Sequence, residues 1–190
     1  MNKICISLLT VFVFSLVLAS CATPPIDRMN RAHDAVLRAE NNADAVAFAP
    51  DTLVHARDAL VRMQTEADAR RFNAAGNFAD EAISLAEQAI AEGMLGARSR
   101  EDAARLLEGL AGQVRETDAA VTAARNQALL LDHNALRREM DTTRLLYEDA
   151  VRNLQADNIQ DAVAQGQTVR SNLADINAQL LGAAHAISRK

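Results

Sequence analysis

The residue with the most defined chemistry in this sequence is Cys21. Its thiol follows Leu18-Ala19-Ser20 at the end of an apolar run that starts at Ile4 and is interrupted only by Ser7, Thr10 and Ser15. With Lys3 ahead of that run, the first twenty residues have the order of charge and hydropathy of a secretory signal peptide. The run is too short to read as a spanning helix. Ala19 and Ser20 are small enough to enter a peptidase in extended form, and the Cys21 thiol is then the nucleophile that takes a diacylglyceryl group. Cys21 is therefore the expected lipidation site, with residues 1–20 expected to be removed.

Other reactive side chains do not assemble into a recognisable centre. His33, His55, His133 and His185 show no His-x-x-x-His spacing and have no cysteine partner, whereas a helical metal site needs its ligands on one face at i and i+3 or i+4. Asp80-Glu81, Glu101-Asp102 and Glu148-Asp149 are adjacent pairs, and neighbours on a helix point in different directions, as a solvated face requires and acid–base chemistry does not. Gly93-x-x-Gly96 and Gly109-x-x-Gly112 lack the strand, lysine and hydroxyl of a phosphate loop, so they read as places of close helix packing. No Ser-His-Asp spacing is present. Arg70-Arg71 and Arg137-Arg138 have the geometry to grip phosphates or carboxylates, but read first as solvated pairs. The expectation is a chain with no catalytic, cofactor or metal site, no small-molecule substrate and no enzymatic activity.

Composition narrows the class further. The chain has 25 acidic and 20 basic residues for a net charge of −5, and removing the signal takes away Lys3 and no acid, so the mature chain is more acidic by a single charge. An acidic chain without a basic stripe or interleaved aromatics has neither the counterion-release drive nor the stacking platforms for nucleic acid. Cys5 leaves with the signal and Cys21 is acylated, so no thiol remains for a disulfide or a metal. With Phe48, Phe72, Phe78 and Tyr147 as the only mature aromatics, the core must be built from Ala, Leu, Val, Ile and Met. Such side chains suit closely packed helices.

All prolines lie at or before Pro50, so helices are expected almost throughout the rest. Ala22-Thr23-Pro24-Pro25 is a short extended tether, and Asp27 is a plausible first cap. Apolar residues then recur at three-then-four spacing. Met29, Ala32, Val36, Ala39, Ala43 and Val46 make one stripe, ended by Ala49-Pro50, and Leu53, Ala56, Leu60, Met63 and Ala67 make a second. Phe72 to Asn77 reads as a turn, with Asn77 capping a long third helix over about 78–132 that carries Ala82, Ala86, Ala89, Gly93, Gly96, Arg100, Ala103, Leu107, Leu110, Val114, Thr117, Val121, Ala124, Ala128 and Leu131. At 1.5 Å per residue that helix is on the order of 80 Å long. Gly93 to Arg100 is its weak place. His133-Asn134 reads as a turn, followed by a fourth helix on Leu136, Met140, Thr143, Tyr147, Ala150 and Leu154. Asp157-Asn158 is another turn, and a fifth helix carries Ala162, Gly166, Val169, Leu173, Ile176, Leu180, Ala183 and Ile187. The lengths predict an all-α fold of antiparallel helical hairpins, two three-helix bundles sharing one long central helix, over 27–103 and 104–190 after a linker at 21–26. A single compact bundle is the alternative if the chain reverses at Gly93 to Gly96.

Leu18-Ala19-Ser20-Cys21 resembles the bacterial lipobox. Phe48-Ala49-Pro50, the Leu53, Ala56 and Leu60 stripe, Gly76-Asn77-Phe78 and Leu85-Ala86-Glu87-Gln88-Ala89 resemble a family of bacterial envelope lipoproteins, the domain of unknown function 4398 family, over residues 26–95. Its hairpin is in turn similar to tetratricopeptide-type pairs. The interval from Phe78 to Leu85 is one residue longer than that family's pattern. The resemblance implies a helical fold and an envelope location, lipid-anchored and facing the periplasm, and brings no activity. Ala22, in place of Asp after the cysteine, favours the outer membrane under the familiar enteric sorting rule. Lys190, the only lysine besides Lys3, bears an amine that can accept an acyl group. A lipid at one end and Lys190 at the other resemble the murein lipoproteins, which implies an attachment point for peptidoglycan. The expected function is a noncatalytic scaffold lipoprotein held to the membrane by its lipid and contacting envelope proteins or peptidoglycan. The alternative is a tetratricopeptide-like adaptor that accepts a peptide or helix.

Overall fold

The structure, a computed structural model, describes residues 23–127 and 131–188. Among the described residues it is all α-helical, with six helices and no strand: α1 (Ile26–Glu40), α2 (Ala43–Phe48), α3 (Pro50–Asp68), α4 (Phe72–Asn126), α5 (His133–Gln155) and α6 (Ile159–Ser188). It divides into two compact units, with the boundary between Leu95 and Gly96, inside α4.

In the first unit, α1, α3 and the N-terminal part of α4 bury a core made largely of alanine. Ala32, Val36 and Ala39 meet Leu53, Ala56 and Met63 and the column Ala79, Ala82, Ala86 and Ala89. Side chains this short bring the helix axes together, so backbone and Cβ atoms supply much of the contact. Arg28 reaches Asp80 at 3.3 Å and Thr52 donates to Glu92 at 2.6 Å, so α1 runs parallel to α4 and α3 antiparallel to it. In the second unit, the C-terminal part of α4 packs with α5 and α6 around Leu107, Leu110, Val114, Leu136, Met140, Val169, Leu173 and Ile176. Arg100 pairs with Asp157 at 3.2 Å and Arg137 with Asp118 at 2.8 Å. The order is the same as in the first unit: first and third helices parallel, the middle one reversed.

The structure moves several predicted boundaries. The first stripe does not continue to Val46, because Asn41-Asn42 interrupts it and the Asn42 side chain accepts the Ala45 amide at 2.9 Å, starting α2 afresh. The register shifts accordingly: Ala43 and Val46 are exposed while Ala45 and Ala49 are buried. The predicted turn from Phe72 to Asn77 is helix. The reversal lies instead at Ala69-Arg70-Arg71, where Arg70 takes a left-handed φ of 58° and the Arg71 amide donates to the Glu66 carbonyl at 2.8 Å, closing a Schellman-type end. Asn77 is therefore no cap. Asp157 repeats this device with φ 60° and an Asn158 amide bond to the Asn153 carbonyl at 2.9 Å. Helix α4 passes through Gly93 to Arg100 without a break, so the chain does not reverse there. His133 begins α5 instead of forming a turn, capped by Asp132, which accepts the Asn134 and Ala135 amides at 3.1 and 2.9 Å.

Candidate functional site

Cys21 and Lys190, the lipidation and attachment positions expected from sequence, lie outside the described residues. The remaining candidates can be placed. His33 sits on α1 beside α3, and His55 lines a separate cavity of about 200 Å³ with Asp58, Arg62, Glu81 and Leu85 between α3 and α4. Arg62 in that cavity lies over the Phe78 ring, 6.0 Å from its centroid. His133 opens α5 with its Nδ1 buried and unpaired among the described residues, and His185 is exposed on α6. The fold does not gather the four imidazoles. Among the described residues no group of three His, Cys, Asp or Glu side chains is placed to hold a metal.

The adjacent carboxylates engage arginines. Asp80 meets Arg28, Glu101 and Asp102 both reach Arg105, and Asp149 pairs with Arg152. Arg71 pairs with Glu66, and Arg137 bridges Asp118 and Asp141. One arginine of each doublet thus grips a carboxylate of its own chain, one of the two roles its sequence allowed, while remaining largely exposed. Gly93 is a seat of close packing as expected: a Cβ there would stand 2.5 Å from the Ala45 nitrogen. Gly109 and Gly112 are different, since a Cβ on either would meet nothing within 4 Å. Packing does not account for that pair.

Three carboxyls are held below their ordinary range. Glu66 is lowered by the hydrogen bond from Arg71 and by that guanidinium's charge. Glu92 is lowered first by the Thr52 hydroxyl and then by the Gln88 amide. Asp132 is lowered first by the Ala135 amide and also by that of Asn134, at the positive end of α5. All three are anions held by hydrogen bonds within the fold.

A groove of about 380 Å³ runs between α1 and α3, lined by His33, Asp34, Val36, Leu37, Glu40, Arg57, Leu60 and Val61. Val36 and Leu60 lie at its base. Leu37 and Val61 stand on its rims, 56% and 66% exposed, and Arg57 closes on Glu40 at 2.5 Å. An apolar strip edged by a histidine and an ion pair suits contact with a helix or peptide better than bond-making chemistry. Sequence reading passed over Leu37 and Val61 because they fall off the core stripes. Their signal is the doublet: Val36-Leu37 and Leu60-Val61 each set an apolar residue about 100° around the helix from the core position.

No helix among the described residues is long and apolar enough to cross a membrane. Compared with protein-family models, curated proteins and solved structures, the chain matches none of them.

Proposed function

We propose that the protein is a noncatalytic, lipid-anchored scaffold of the bacterial cell envelope, tethered through Cys21 and contacting envelope proteins or peptidoglycan through its helical units. The observation that carries this reading is the order Lys3, apolar run, Ala19-Ser20-Cys21 followed by a proline-containing tether and helices. Two acyl chains anchor stably, whereas one binds only marginally, at roughly 0.8 kcal/mol per buried CH₂. The all-helical fold and the engagement of its carboxylates in ion pairs and caps are in keeping with it. Cys21→Ala should release the protein from the membrane fraction and abolish incorporation of labelled fatty acid. Unchanged processing and membrane retention in that variant would refute the anchor.

The groove between α1 and α3 favours a second reading, an adaptor whose groove accepts an amphipathic helix or peptide. Leu37 and Val61 are the residues to change. If Leu37→Glu with Val61→Glu, in the anchored protein, leaves every crosslinked envelope partner in place, the groove is not the docking site.

A further inference from the structure

The outer surface of the α1–α3 pair has a counterpart in the second unit, and the two differ in chemistry. The correspondence that takes Leu53 to Met140 and Ala56 to Thr143, all four buried, also takes Val54 to Asp141 and Val61 to Glu148. On the facing helix, Ala32, Val36 and Ala39 correspond to Thr117, Val121 and Ala124, again all buried, which takes Leu37 to Thr122. The second unit thus places a hydroxyl and two carboxylates where the first exposes Leu37, Val54 and Val61. Since the hairpin folds with polar residues at these outward positions, its own packing does not call for the apolar strip.

Charge differs between the units as well. Residues 23–95 include twelve acidic and seven basic side chains, whereas residues 96–190 include thirteen and twelve. The excess of acid therefore lies with the unit that bears the strip. At the groove itself Glu40 is engaged by Arg57, and Asp34 is exposed and makes no ion pair among the described residues. The α1–α3 pair already accepts one helix, α4, on its inner side, and its outer side offers the same kind of ridge and groove. Building on the adaptor role of this groove, we infer that its partner is a basic amphipathic helix, laying apolar side chains on Leu37 and Val61 and a Lys or Arg beside Asp34. From His33 to Glu40 the groove runs about two helical turns, on the order of 10 Å, so a short helix fills it. A second copy of this acidic unit is disfavoured as occupant, because like charges repel.

The test uses the full chain in phosphatidylcholine nanodiscs, titrated with a fluorescently labelled amphipathic helical peptide about four turns long. One version has leucines along a single face and lysines on its flanks; the other has glutamates in place of the lysines. The lysine peptide should bind saturably and ignore empty discs, with the glutamate peptide weaker by about tenfold or more and the difference shrinking as salt is raised. Asp34→Asn should weaken the lysine peptide by about two- to fivefold. Leu37→Gln with Val61→Gln, which alters apolarity and leaves charge and helix propensity nearly unchanged, should abolish binding without loss of helix content. Leu145→Glu, at an exposed leucine of the second unit, should have no effect. Equal or tighter binding of the glutamate peptide, lost in the Leu37 and Val61 variant, would overturn the basic partner while the groove stands as an adaptor. Binding of neither peptide, or binding indifferent to Leu37 and Val61, would overturn both.

Discussion

The two units solve one packing problem with different atoms. A constant offset along the chain carries Arg70 onto Asp157 at the left-handed turn, Leu53 onto Met140, Ala56 onto Thr143, Met63 onto Ala150, and Ala79, Ala82, Ala86 and Ala89 onto Gly166, Val169, Leu173 and Ile176. Every residue in both sets of interior positions is buried. The interior positions of the hairpin are therefore shared, while the side-chain volumes that fill them are not. Alanines line the first unit's third helix at Ala82, Ala86 and Ala89, where the second unit places Val169, Leu173 and Ile176. The first unit should suffer most from added volume and the second from removed volume.

That contrast can be broken at equivalent sites, and the largest effect is expected in the second unit. Leu173, 1% exposed, should cost about 2–5 kcal/mol as Leu173→Ala, read as a fall in melting temperature by circular dichroism. Its counterpart Ala86→Leu should also destabilise, by roughly 1–3 kcal/mol of overpacking. A higher melting temperature for Ala86→Leu would show that the alanine core has room, and the contrast would fail. The glycines sharpen the same point. Gly93→Ala should destabilise by about 1–3 kcal/mol because its Cβ meets backbone of α2. At Gly166→Ala the nearest atoms are the Leu106 and Leu107 methyls, at 3.0 and 3.2 Å, which need to give by only a few tenths of an ångström. Its cost should be under about 1 kcal/mol, partly offset by helix propensity.

The smallest effect is with pH. The depressed pKa values of Glu66, Glu92 and Asp132 mean that their contributions are complete above the ordinary carboxyl values of 4.5 and 3.8 and are lost as pH falls through the lowered folded values. Thermal melts should therefore weaken modestly on acidification below about pH 4.5. Thr52→Val, which removes the largest cause at Glu92, should flatten part of that slope. An unchanged slope would show that the Thr52 contact does not govern Glu92.

Periodicity carried the interior well because each stripe continues across turns of one helix: Leu107, Leu110, Val114, Thr117, Val121 and Ala124 all read as a seam and all are buried. Boundaries were less legible where a non-glycine residue does a glycine's work. Arg70 and Asp157 both adopt left-handed backbone. Asp157-Asn158 looks like a turn, since Asn and Asp tolerate that conformation, but Ala69-Arg70-Arg71 carries no such mark, and Gly76 drew the turn several residues too late. The register change after Asn41-Asn42 was hidden because Ala43, Ala45 and Ala49 are one residue type and either choice preserves an apolar pattern. The groove residues Leu37 and Val61 are visible as doublets once the stripes are drawn.

Tyr147 gives these contrasts a built-in optical label. It is the only tyrosine, the chain has no tryptophan, and it is packed against the core of the second unit with Leu146 and Val151. Phenol emission therefore reports on one bundle alone, whereas amide ellipticity sums over both. Recording the two signals through the same melt separates the units without labels or truncation. Coincident curves would mark a single cooperative transition, and a displaced phenol curve would time the second unit's loss of packing against the rest of the helical signal.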